Sequence, residues 1–553
     1  MSNEHNTVVL GFDALDFDYL DRFESSLPNF AALRESGVEA PLESTFPPWT
    51  GSAWPSMYTG TDPSHHGVYG FFHHTDDYPD EDVLVTRDHV RKPAVWNYLT
   101  ALEEPVVVLN VPVTHPAEPV EGVLVPGYLA HEEDAGYPEG VRDELSNALG
   151  EEYRIYSAAE TSEECEDERG SSLDLIRMRG AAAEYLLTEY DWRVAIVQVQ
   201  KTDTVFHEFD DRATFRRAYE RADDVLGRVR EAASEANVVV CSDHGMGRVD
   251  GYTVYINEIL RDAGFVETTT DSSGPSLMTE KATLTGKAAD DVAGGGATGT
   301  RSVTGQVVSA ATATLGRVGI SPGDAYALAT RLGVGDFLSE VLPYEAVSAA
   351  SEGVDWANST AYCRSVELGV RVNLAGREPA GVVTPEEYEG VRDELIRTLS
   401  NLRTPDDDPV FEWVRRREDV YDGPYAEYAC DVLFMPAEMN HVLSTNLIGQ
   451  RFVPVDDHDH QRDGVFVAAG PAFEDADPAA VPDRFSLTDV APIAMASAGL
   501  DVPARMTGEV PAGLLSASVS RADYGEVPFG TDAAEDPTDD GSVEERLSDL
   551  GYI

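Results

Sequence analysis

Residues 238–247, VVVCSDHGMG, join an apolar run to an acid and a histidine. The branched apolar residues are typical of a buried parallel strand. Asp243 and His244 follow it at the carboxyl end, where open α/β sheets build their binding sites. Asp and His side chains supply oxygen and nitrogen ligands for a metal such as zinc. The string therefore predicts a metal site on an α/β fold, with a salt-bridged strand end as the alternative.

Apolar strands alternate with helical segments over the first part of the chain, up to about residue 268. The strands are short runs rich in branched residues, and the helices carry mixed apolar and charged residues. The predicted strands cover residues 7–12, 105–109, 193–199 and 237–241, and the predicted helices cover residues 94–104, 171–188 and 212–235. This alternation predicts an α/β fold with a doubly wound, mostly parallel sheet flanked by helices.

The composition changes after residue 268, where a stretch rich in Thr, Ser, Gly and Ala favours a loop or mobile insertion. Later segments return to strand and helix patterns, which suggests that the core is interrupted and then resumed. The predicted parts are the first part of the core at 1–268, a partly flexible, helical insertion at 269–350, a return to the core at 351–376, a small α+β appendage at 377–424, the last part of the core at 425–520 and an acidic tail at 521–553.

The chain is strongly acidic, with 100 acidic and 40 basic residues and a net charge of −60 over 553 residues. Only four of the basic residues are lysine, and the acids are spread throughout. Such self-repulsion destabilises a fold in dilute buffer and is screened by salt. The haloarchaeal-like composition therefore favours a protein of a high-salt organism, with an ordinary acidic protein as the alternative. Binding to a nucleic-acid backbone is disfavoured.

The N-terminal string MSNEHNTVVLGFDALD lacks the basic and long apolar segments of a signal peptide. No apolar run approaches the roughly 18 residues of a membrane span. The four cysteines are far apart and form no CxxC pair, which argues against a disulfide framework or a cysteine metal site. We therefore expect a cytoplasmic protein without a membrane span.

Two further polar positions are predicted in the first core segment. Asp13 ends the first predicted strand, although a carboxylate there equally suits the cap of the next helix. Thr50 lies between a rigid Pro-Pro-Trp and Gly51, a context that exposes a hydroxyl at a helix start, where backbone N–H groups favour a phosphate. A plain N-cap threonine is the alternative for Thr50.

Two more clusters contain histidine. Asp203 and His207 are four residues apart and share one face if the chain is helical after its strand, so that they suit one metal or an exposed ion pair. His460 precedes a predicted strand, with His458 as a competitor and a solvated loop histidine as the alternative. Together the four clusters supply two ligand sets, which is the composition of a two-metal site for phosphoryl chemistry.

Four strings resemble, in order, the motifs of the alkaline phosphatase superfamily, and within it the type I phosphodiesterase / nucleotide pyrophosphatase branch. The segment PPWTGSAWPSMYTGTDPSHHGVYGF is similar to that branch's nucleophile segment, and SDHGMG resembles its most recognisable metal motif. KTDTVFHEF looks like its D-x-x-x-H element, and HQRDGVFVAAGP looks like its final H-x-x-x-G strand. The C-terminal RLSDLGYI resembles a common terminal signature.

The resemblance implies a metal-dependent hydrolase that cleaves phosphodiester or pyrophosphate bonds through a phosphothreonine formed on Thr50. It implies two divalent metal ions, most often zinc, with manganese also suited to such His-rich ligation. One ion would be held by Asp13, Thr50, Asp243 and His244, and the other by Asp203, His207 and His460. The implied partner is a small phosphorylated substrate.

Three further residues are candidates for contact with substrate phosphate. The Gly51 N–H suits a non-bridging oxygen. Lys201 lies two residues before Asp203 and shares its strand face, and Arg248 follows the DHGMG turn. For both basic residues a solvated side chain is the alternative.

The chain departs from the family pattern near Gly70 and Phe71, where many relatives carry Asp or Asn. Gly51-Ser52 also replaces a commoner Gly-Pro or Phe-Pro. A phosphomonoesterase or phosphomutase on the same scaffold is the alternative function, although Thr50 argues against a mutase because mutases of the superfamily typically use serine. A non-catalytic metal-binding relative is the third possibility, and a sulfatase is disfavoured because no C/S-x-P-x-R string occurs at the nucleophile.

Overall fold

The structure is a computed structural model, and it describes residues 5–74, 82–161, 167–269, 353–364, 368–477, 479 and 481–530. Three predicted features lie outside the described residues. They are the insertion at 269–350 apart from its first residue, the acidic tail from residue 531 onward, and the terminal RLSDLGYI at 546–553.

The main sheet is built from apolar strands at both ends of the described chain. Its strands are β1 Thr7–Phe12, β2 Val38–Glu43, β5 Val106–Val111, β6 Gly122–Pro126, β7 Val194–Val199, β8 Asn237–Cys241, β20 Asp463–Ala469 and β21 Phe485–Ser486. They lie in the order β21-β2-β20-β8-β1-β7-β5-β6. Residues buried on both faces are what a central parallel strand requires, and β1, β5, β7 and β8 are buried along their whole length.

Strand direction decides where the polar strand ends meet. The strands β8, β1, β7, β5 and β6 pair in parallel, with Val9 opposite Ile196 on one side and Val239 on the other. The strand β20 runs antiparallel to β8 and to β2. The carboxyl ends of the parallel strands and the amino end of β20 therefore lie at one edge of the sheet.

Helices cover both faces of this sheet and enclose two separate cores. Val8, Leu10 and Phe12 point into one core, and Val9 points into the other. The described helices are α1 Phe17–Phe23, α2 Pro28–Ser36, α3 Thr50–Thr59, α4 Pro63–His66, α5 Val95–Ala101, α6 Val141–Leu149, α7 Ala158–Thr161, α8 Glu168–Glu189, α9 Lys201–Glu208, α10 Arg212–Ala232, α11 Ile256–Asp262, α12 Tyr388–Ser400 and α13 Val490–Ser497. The predicted doubly wound, mostly parallel α/β fold is confirmed.

Shorter strands form small sheets beside the main one. They are β3 Phe72–His74, β4 Asp82–Leu84, β9 Gly245–Val249, β10 Tyr252–Tyr255, β11 Thr268–Thr269, β12 Gly353–Val354, β13 Ala361–Tyr362, β14 Gly369–Val372, β15 Phe411–Arg416, β16 Val432–Pro436, β17 His441–Ser444, β18 Phe452–Pro454, β19 Asp457–Gln461, β22 Val502–Pro503 and β23 Arg521–Ala522. The pair β9–β19 matters most for function because it lies beside the polar edge of the main sheet.

A separate four-stranded sheet lies beside the main one. The strands β13, β14 and β16 do not join the main sheet, because they pair with one another and with β15 in a separate four-stranded sheet. Helix α12 packs on this sheet. This four-stranded sheet and helix α12 together form the appendage, of which α12 and β15 lie within the predicted 377–424, and the predicted domain boundaries stay predictions.

A buried ion-pair cluster holds the appendage together at Asp431, which immediately precedes β16. Arg377 donates to both carboxylate oxygens at 2.7 Å, and Arg417 and Tyr388 donate at 2.9 and 2.5 Å. The side chain of Asp431 is fully buried. Burial alone raises the pKa of Asp431, but Arg377 and then Arg417 outweigh burial and bring the pKa to about 2.

Replacing Asp431 by Asn is expected to lower the free energy of unfolding at pH 7 by about 3–5 kcal/mol, because three cationic or polar donors lose a buried anion. The folded-state pKa lies below the ordinary value near 3.9, so the charge stabilises the fold above about pH 4. The difference between wild type and D431N should therefore shrink as the pH falls from 4 towards 2. Urea denaturation at several pH values measures it.

The matched control is Asp393→Asn in the same appendage. Asp393 pairs with Arg416 at 2.6 Å, but its side chain is 58% exposed. An exposed pair contributes at most about 1 kcal/mol. Equal losses in D431N and D393N would contradict the prediction.

None of the helices within the described residues is long and apolar enough to cross a membrane.

Candidate metal centre

Elements of the main sheet deliver seven predicted ligands to its polar edge. Asp13 follows β1, Asp243 and His244 follow β8, and α9 begins directly after β7. His460 lies in β19 just before β20, and the loop after β2 leads into α3. The structure brings together Asp13, Thr50, Asp203, His207, Asp243, His244 and His460.

The first cluster is buried beneath the carboxyl ends of β1 and β8. His244 Nε2 lies 3.4 Å from Asp13 Oδ1 and 3.4 Å from Asp243 Oδ2. Thr50 Oγ1 donates to Asp13 Oδ1 at 3.5 Å. Asp13, Asp243 and His244 have no exposed surface, and Thr50 is 5% exposed. Four buried ligand-type side chains therefore meet in the first cluster.

The second cluster is formed by Asp203, His207 and His460. His207 Nε2 lies 3.1 Å from Asp203 Oδ1 and 3.2 Å from His460 Nε2, and the His460–Asp203 distance is 3.5 Å. Asp203 and His207 share a face because the chain becomes helical in α9, as predicted. The His207 side chain is 39% exposed, so solvent reaches this cluster from the His207 side.

The two clusters share a border. The rings of His244 and His460 stack with centroids 3.8 Å apart and an interplanar angle of 20°. Ligand atoms of Asp203, His244 and His460 also lie within 4.8 Å of one another, as do those of His207, Asp459 and His460. Distance alone therefore leaves more than one way to divide the ligands between two ions.

Backbone carbonyls fix the protonation pattern of two imidazoles. His244 Nδ1 contacts the Gly245 carbonyl oxygen at 3.0 Å, and His460 Nδ1 contacts the Pro48 carbonyl oxygen at 3.2 Å. A carbonyl only accepts, so Nδ1 carries the proton and donates it in both rings. In the neutral rings Nε2 then keeps its lone pair, which is how metal-ligating histidines are commonly oriented.

Three carboxylates share this small volume, and the pKa values respond to it. Burial, and then the charges of Asp243 and Asp203, raise the pKa of Asp13 well above its ordinary value. Burial likewise raises the pKa of Asp243 and lowers that of His244. Without a bound cation, the first cluster is therefore short of positive charge.

The second cluster is better balanced. Burial alone raises the pKa of Asp203, but His207 and His460 outweigh burial and hold that pKa well below its ordinary value. The charge of Asp203 raises the pKa of His207 to about 9. Asp203 and His207 therefore form an ion pair when no metal competes for them.

The donor set fits divalent metal ions on two observations. Asp243 Oδ2 and His244 Nε2 are fully buried and have no hydrogen-bond partner, a costly state unless a cation is bound. Moreover, oxygen and nitrogen ligands at about 2.0–2.1 Å from a tetrahedral ion lie about 3.3 Å apart. The measured separations of 3.1–3.5 Å in both clusters match that spacing.

Thr50 is the first residue of α3, as predicted, and it does not cap the helix. The N-cap is Trp49, in an extended conformation and without a side-chain cap. The N–H groups of a first helical turn have no partner within the helix, so those of Thr50 and Gly51 are oriented to receive an anion. A side chain at Gly51 would meet the Gly70 carbonyl oxygen at 2.5 Å, so glycine is required there.

The departure at Gly70 and Phe71 leaves no carboxylate or amide side chain at that point. The Gly70 backbone lies directly against Gly51, and the Phe71 ring contacts Tyr128 with centroids 6.5 Å apart. Backbone N–H groups at the start of α3 therefore replace a side-chain donor as the candidate contacts to phosphate at this side of Thr50.

The helix-cap alternative for Asp13 and the loop alternative for His460 do not match the structure. Asp13 does not cap the following helix, because Asp16 caps α1 by accepting from the Asp18 N–H. His460 lies in strand β19 and not in a loop, and it turns towards Asp203. His458 lies among the rings of the α9–α10 region and contacts Phe206 and Phe215.

The two basic residues predicted as phosphate contacts are both engaged by carboxylates. Lys201 is 2% exposed, and its Nζ lies 2.8 Å from Glu160, so it is not the solvated lysine of the alternative. Arg248 is 63% exposed and makes a two-pronged pair with Asp456 at 2.8 Å.

Sequence reasoning missed the residues that hold Asp13. Gln198 and Trp54 donate to Asp13 Oδ2 at 2.9 and 3.4 Å, and Asn110 donates to Gln198. A signal was present, because Gln198 and Asn110 are single amides in otherwise apolar strands. Gly11 belongs to the same arrangement, since any side chain there would meet the Trp54 ring at 2.3 Å.

Comparison with solved structures gives the same fold. Phosphonoacetate hydrolase from Sinorhizobium meliloti 1021, in complex with phosphonoformate, matches with a TM-score of 0.53 and 14% identity over 90% of this chain and 96% of that chain. Murine ectonucleotide pyrophosphatase / phosphodiesterase 5 in complex with AMP matches with a TM-score of 0.48 and 12% identity over 93% and 100%. No curated protein matches the chain.

The family model of the type I phosphodiesterase / nucleotide pyrophosphatase matches residues 7–299, just over half of the chain. Six of the seven clustered residues lie within that segment, and the fold brings His460 to them from outside it. The chain therefore belongs to the type I phosphodiesterase / nucleotide pyrophosphatase family, and it is a phosphoric ester hydrolase.

Proposed function

We propose that this enzyme hydrolyses phosphodiester or pyrophosphate bonds of a small substrate, with Thr50 as nucleophile and with two divalent ions, zinc or manganese. Asp13, Thr50, Asp243 and His244 would hold one ion. Asp203, His207 and His460 would hold the other. The observation that carries the proposal is the position of Thr50. It is the first residue of α3, and its hydroxyl lies 3.5 Å from Asp13 within a buried carboxylate–histidine cluster.

The ions, when bound, supply positive charge that lowers the pKa of a hydroxyl and neutralises charge on phosphorus and the leaving oxygen. The chain supplies position. Thr50 is fixed at the start of α3 by the extended Trp49, so its Oγ1 faces the clusters. The Gly51 N–H, in the first turn of α3, would donate to a non-bridging phosphate oxygen, and the Gly70 backbone lies against Gly51.

The reaction proceeds in two balanced steps. In the first, Thr50 Oγ1 loses its proton and bonds to phosphorus, the P–O bond to the leaving group breaks, and the leaving oxygen takes up a proton. In the second, a water oxygen bonds to phosphorus, the bond to Thr50 breaks, and Thr50 is protonated again. The exposed side of His207 gives water access to the second cluster.

The local charge favours a diester over a monoester. A phosphomonoester carries close to two negative charges at pH 7, whereas a diester carries one. Lys201, Arg248 and Arg462, which lie within or beside the motifs in sequence, are already engaged by Glu160, Asp456 and Glu43. Binding a dianion would call for positive charge beyond that of the ions, which supports the diester reading.

The test is an assay in molar salt with protein stripped by chelator and reloaded with zinc or manganese. Bis-p-nitrophenyl phosphate and p-nitrophenyl phosphate are compared at equal concentration. We expect turnover only after metal addition, and a kcat/KM at least about tenfold higher for the diester. Preference for the monoester would support the phosphomonoesterase reading, and bound metal without turnover of either ester would support a non-catalytic relative.

A further inference from the structure

The two oxygens of the Asp13 carboxylate have different surroundings. Oδ1 faces the first cluster, at 3.5 Å from Thr50 Oγ1 and 3.4 Å from His244 Nε2. Oδ2 faces the sheet and accepts hydrogen bonds from Gln198 Nε2 at 2.9 Å and Trp54 Nε1 at 3.4 Å. The carboxylate is therefore divided between one oxygen that is held by the protein and one that is presented to the cluster.

A relay of amides across three adjacent strands sets this division. Asn110 lies in β5, Gln198 in the neighbouring β7, and Asp13 at the end of β1 beyond it. Asn110 Nδ2 donates to Gln198 Oε1 at 2.8 Å and to the Gln198 carbonyl oxygen at 3.2 Å. All three residues are at most 2% exposed.

The direction of the relay is fixed by its acid end. A carboxylate accepts and does not donate, so the Gln198 NH2 group must face Asp13. The side-chain oxygen of Gln198, Oε1, then faces Asn110 and accepts a hydrogen bond from the Asn110 NH2 group. Reversing the Asn110 amide would set two oxygens against each other, so Asn110 determines which end of Gln198 meets Asp13.

The backbone of Asn110 is held in an unusual conformation. Its φ is +61°, in the left-handed region, and the pairing of β5 with β6 shifts register between Leu109 and Val111. This region is uncommon for residues other than glycine, and asparagine is one of the few side chains that adopt it. In addition, the buried Asn110 Oδ1 has no hydrogen-bond partner. Asn110 thus combines an uncommon backbone conformation with an unpaired side-chain oxygen, and both hydrogen bonds of its Nδ2 go to Gln198.

We propose that Asn110 and Gln198 are positioning residues that hold Asp13 so that it offers one oxygen, Oδ1, to a divalent ion. This inference rests on the proposed function, because it takes Asp13 as a metal ligand. Partners that orient a ligating carboxylate typically change metal affinity by about 10–100-fold when they are replaced. Their role differs from fold support, since it acts on the ion bound at the first cluster and not on the second.

The test is isothermal titration of metal-free protein with zinc chloride, with the melting temperature measured in parallel. Asn110→Asp keeps the size of the side chain but removes the donor, so Gln198 turns its carbonyl towards Asp13. Asn110→Gly removes the donor and suits the positive φ, so it keeps the fold. We expect zinc affinity at one of two sites to fall about tenfold in N110G and about 100-fold in N110D, with the other site unchanged.

Asn373→Asp is the matched control. Asn373 is another buried amide, 1% exposed, that donates to the carbonyls of Trp356 and Ser359 in the appendage. It should lower the melting temperature and leave both zinc affinities unchanged.

The inference is overturned if folded N110D or N110G binds zinc as the wild type does, or if N373D weakens zinc equally. If N110D does not fold, N110G decides alone. If the wild type binds no zinc, the titration is made with manganese chloride, and a wild type that binds neither ion overturns the proposed function and the inference with it.

Discussion

Replacing Thr50 by alanine is expected to lower kcat for bis-p-nitrophenyl phosphate by at least about 1,000-fold, because it removes the atom that attacks phosphorus. The effect on stability should be small. Thr50 is the first residue of α3, and alanine is a good helix former. Its hydroxyl makes a long hydrogen bond of 3.5 Å to Asp13.

Two controls separate the loss of the nucleophile from other causes. Thr50→Ser keeps a hydroxyl at the same place and should retain measurable turnover, and acid-quenched wild-type reactions should yield a phosphorylated peptide that contains Thr50. Thr45→Ala, five residues earlier in the same loop and outside the ligand clusters, should leave kcat within about twofold. Full activity in T50A would remove Thr50 from the mechanism and leave attack by water as the alternative.

T50A is also expected to keep two zinc ions per chain at saturation, with the ion at the first cluster bound more weakly because one of its four proposed ligands is lost. The buried Asp243 and His244 and the Oδ1 atom of Asp13 stay in place when Thr50 loses its hydroxyl. Calorimetry on the same preparation therefore distinguishes a missing nucleophile from a missing ion.

Local patterns were sufficient wherever a residue's environment depends on its own segment. Residues 237–241 form a strand at the predicted positions, because branched apolar residues suit a position buried on both faces. The D-x-x-x-H segment became helical directly after β7, which put Asp203 and His207 on one face. Because β1, β7 and β8 are parallel, their carboxyl ends lie at the same edge of the main sheet.

Partners distant in the chain were not predictable from local patterns. Strand β14 lies in the segment 351–376, but its partner β16, and β15 beyond it, lie about 40 to 60 residues further along the chain. Lys201 pairs with Glu160, a residue about 40 positions away in the chain. Such pairings depend on how the whole chain folds.

The residues that hydrogen-bond to the predicted ligands were missed for a chemical reason. Attention to acids and histidines finds groups that bind metal, whereas Gln198 and Asn110 are amides that orient those groups. Their signal is a single polar residue inside a strand buried on both faces, where an unpaired amide is costly. A search for such residues beside predicted ligands would have found both.

His460 is the proposed ligand whose assignment depended most on the fold. Its neighbour His458 therefore offers a close comparison between two histidines of the same strand. In β19 it lies opposite Met246 of β9, and its ring is fixed by Pro48 on one side and by contact with Trp49, at 5.0 Å between centroids, on the other. Its Nε2 then meets His207 and Asp203. This arrangement presents a lone pair to the second cluster.

His460→Ala is therefore expected to reduce bound zinc from about two ions per chain to about one, and to lower kcat/KM for the diester more than about 100-fold, since a lost ligand costs more than a lost orienting partner. His458→Ala is the matched control two residues away. His458 packs on Phe206 and Phe215, so its loss should lower the melting temperature and leave zinc stoichiometry at about two. If H458A lost an ion and H460A kept both, His458 and not His460 would be the ligand of the second cluster. That result would contradict the proposed ligand set.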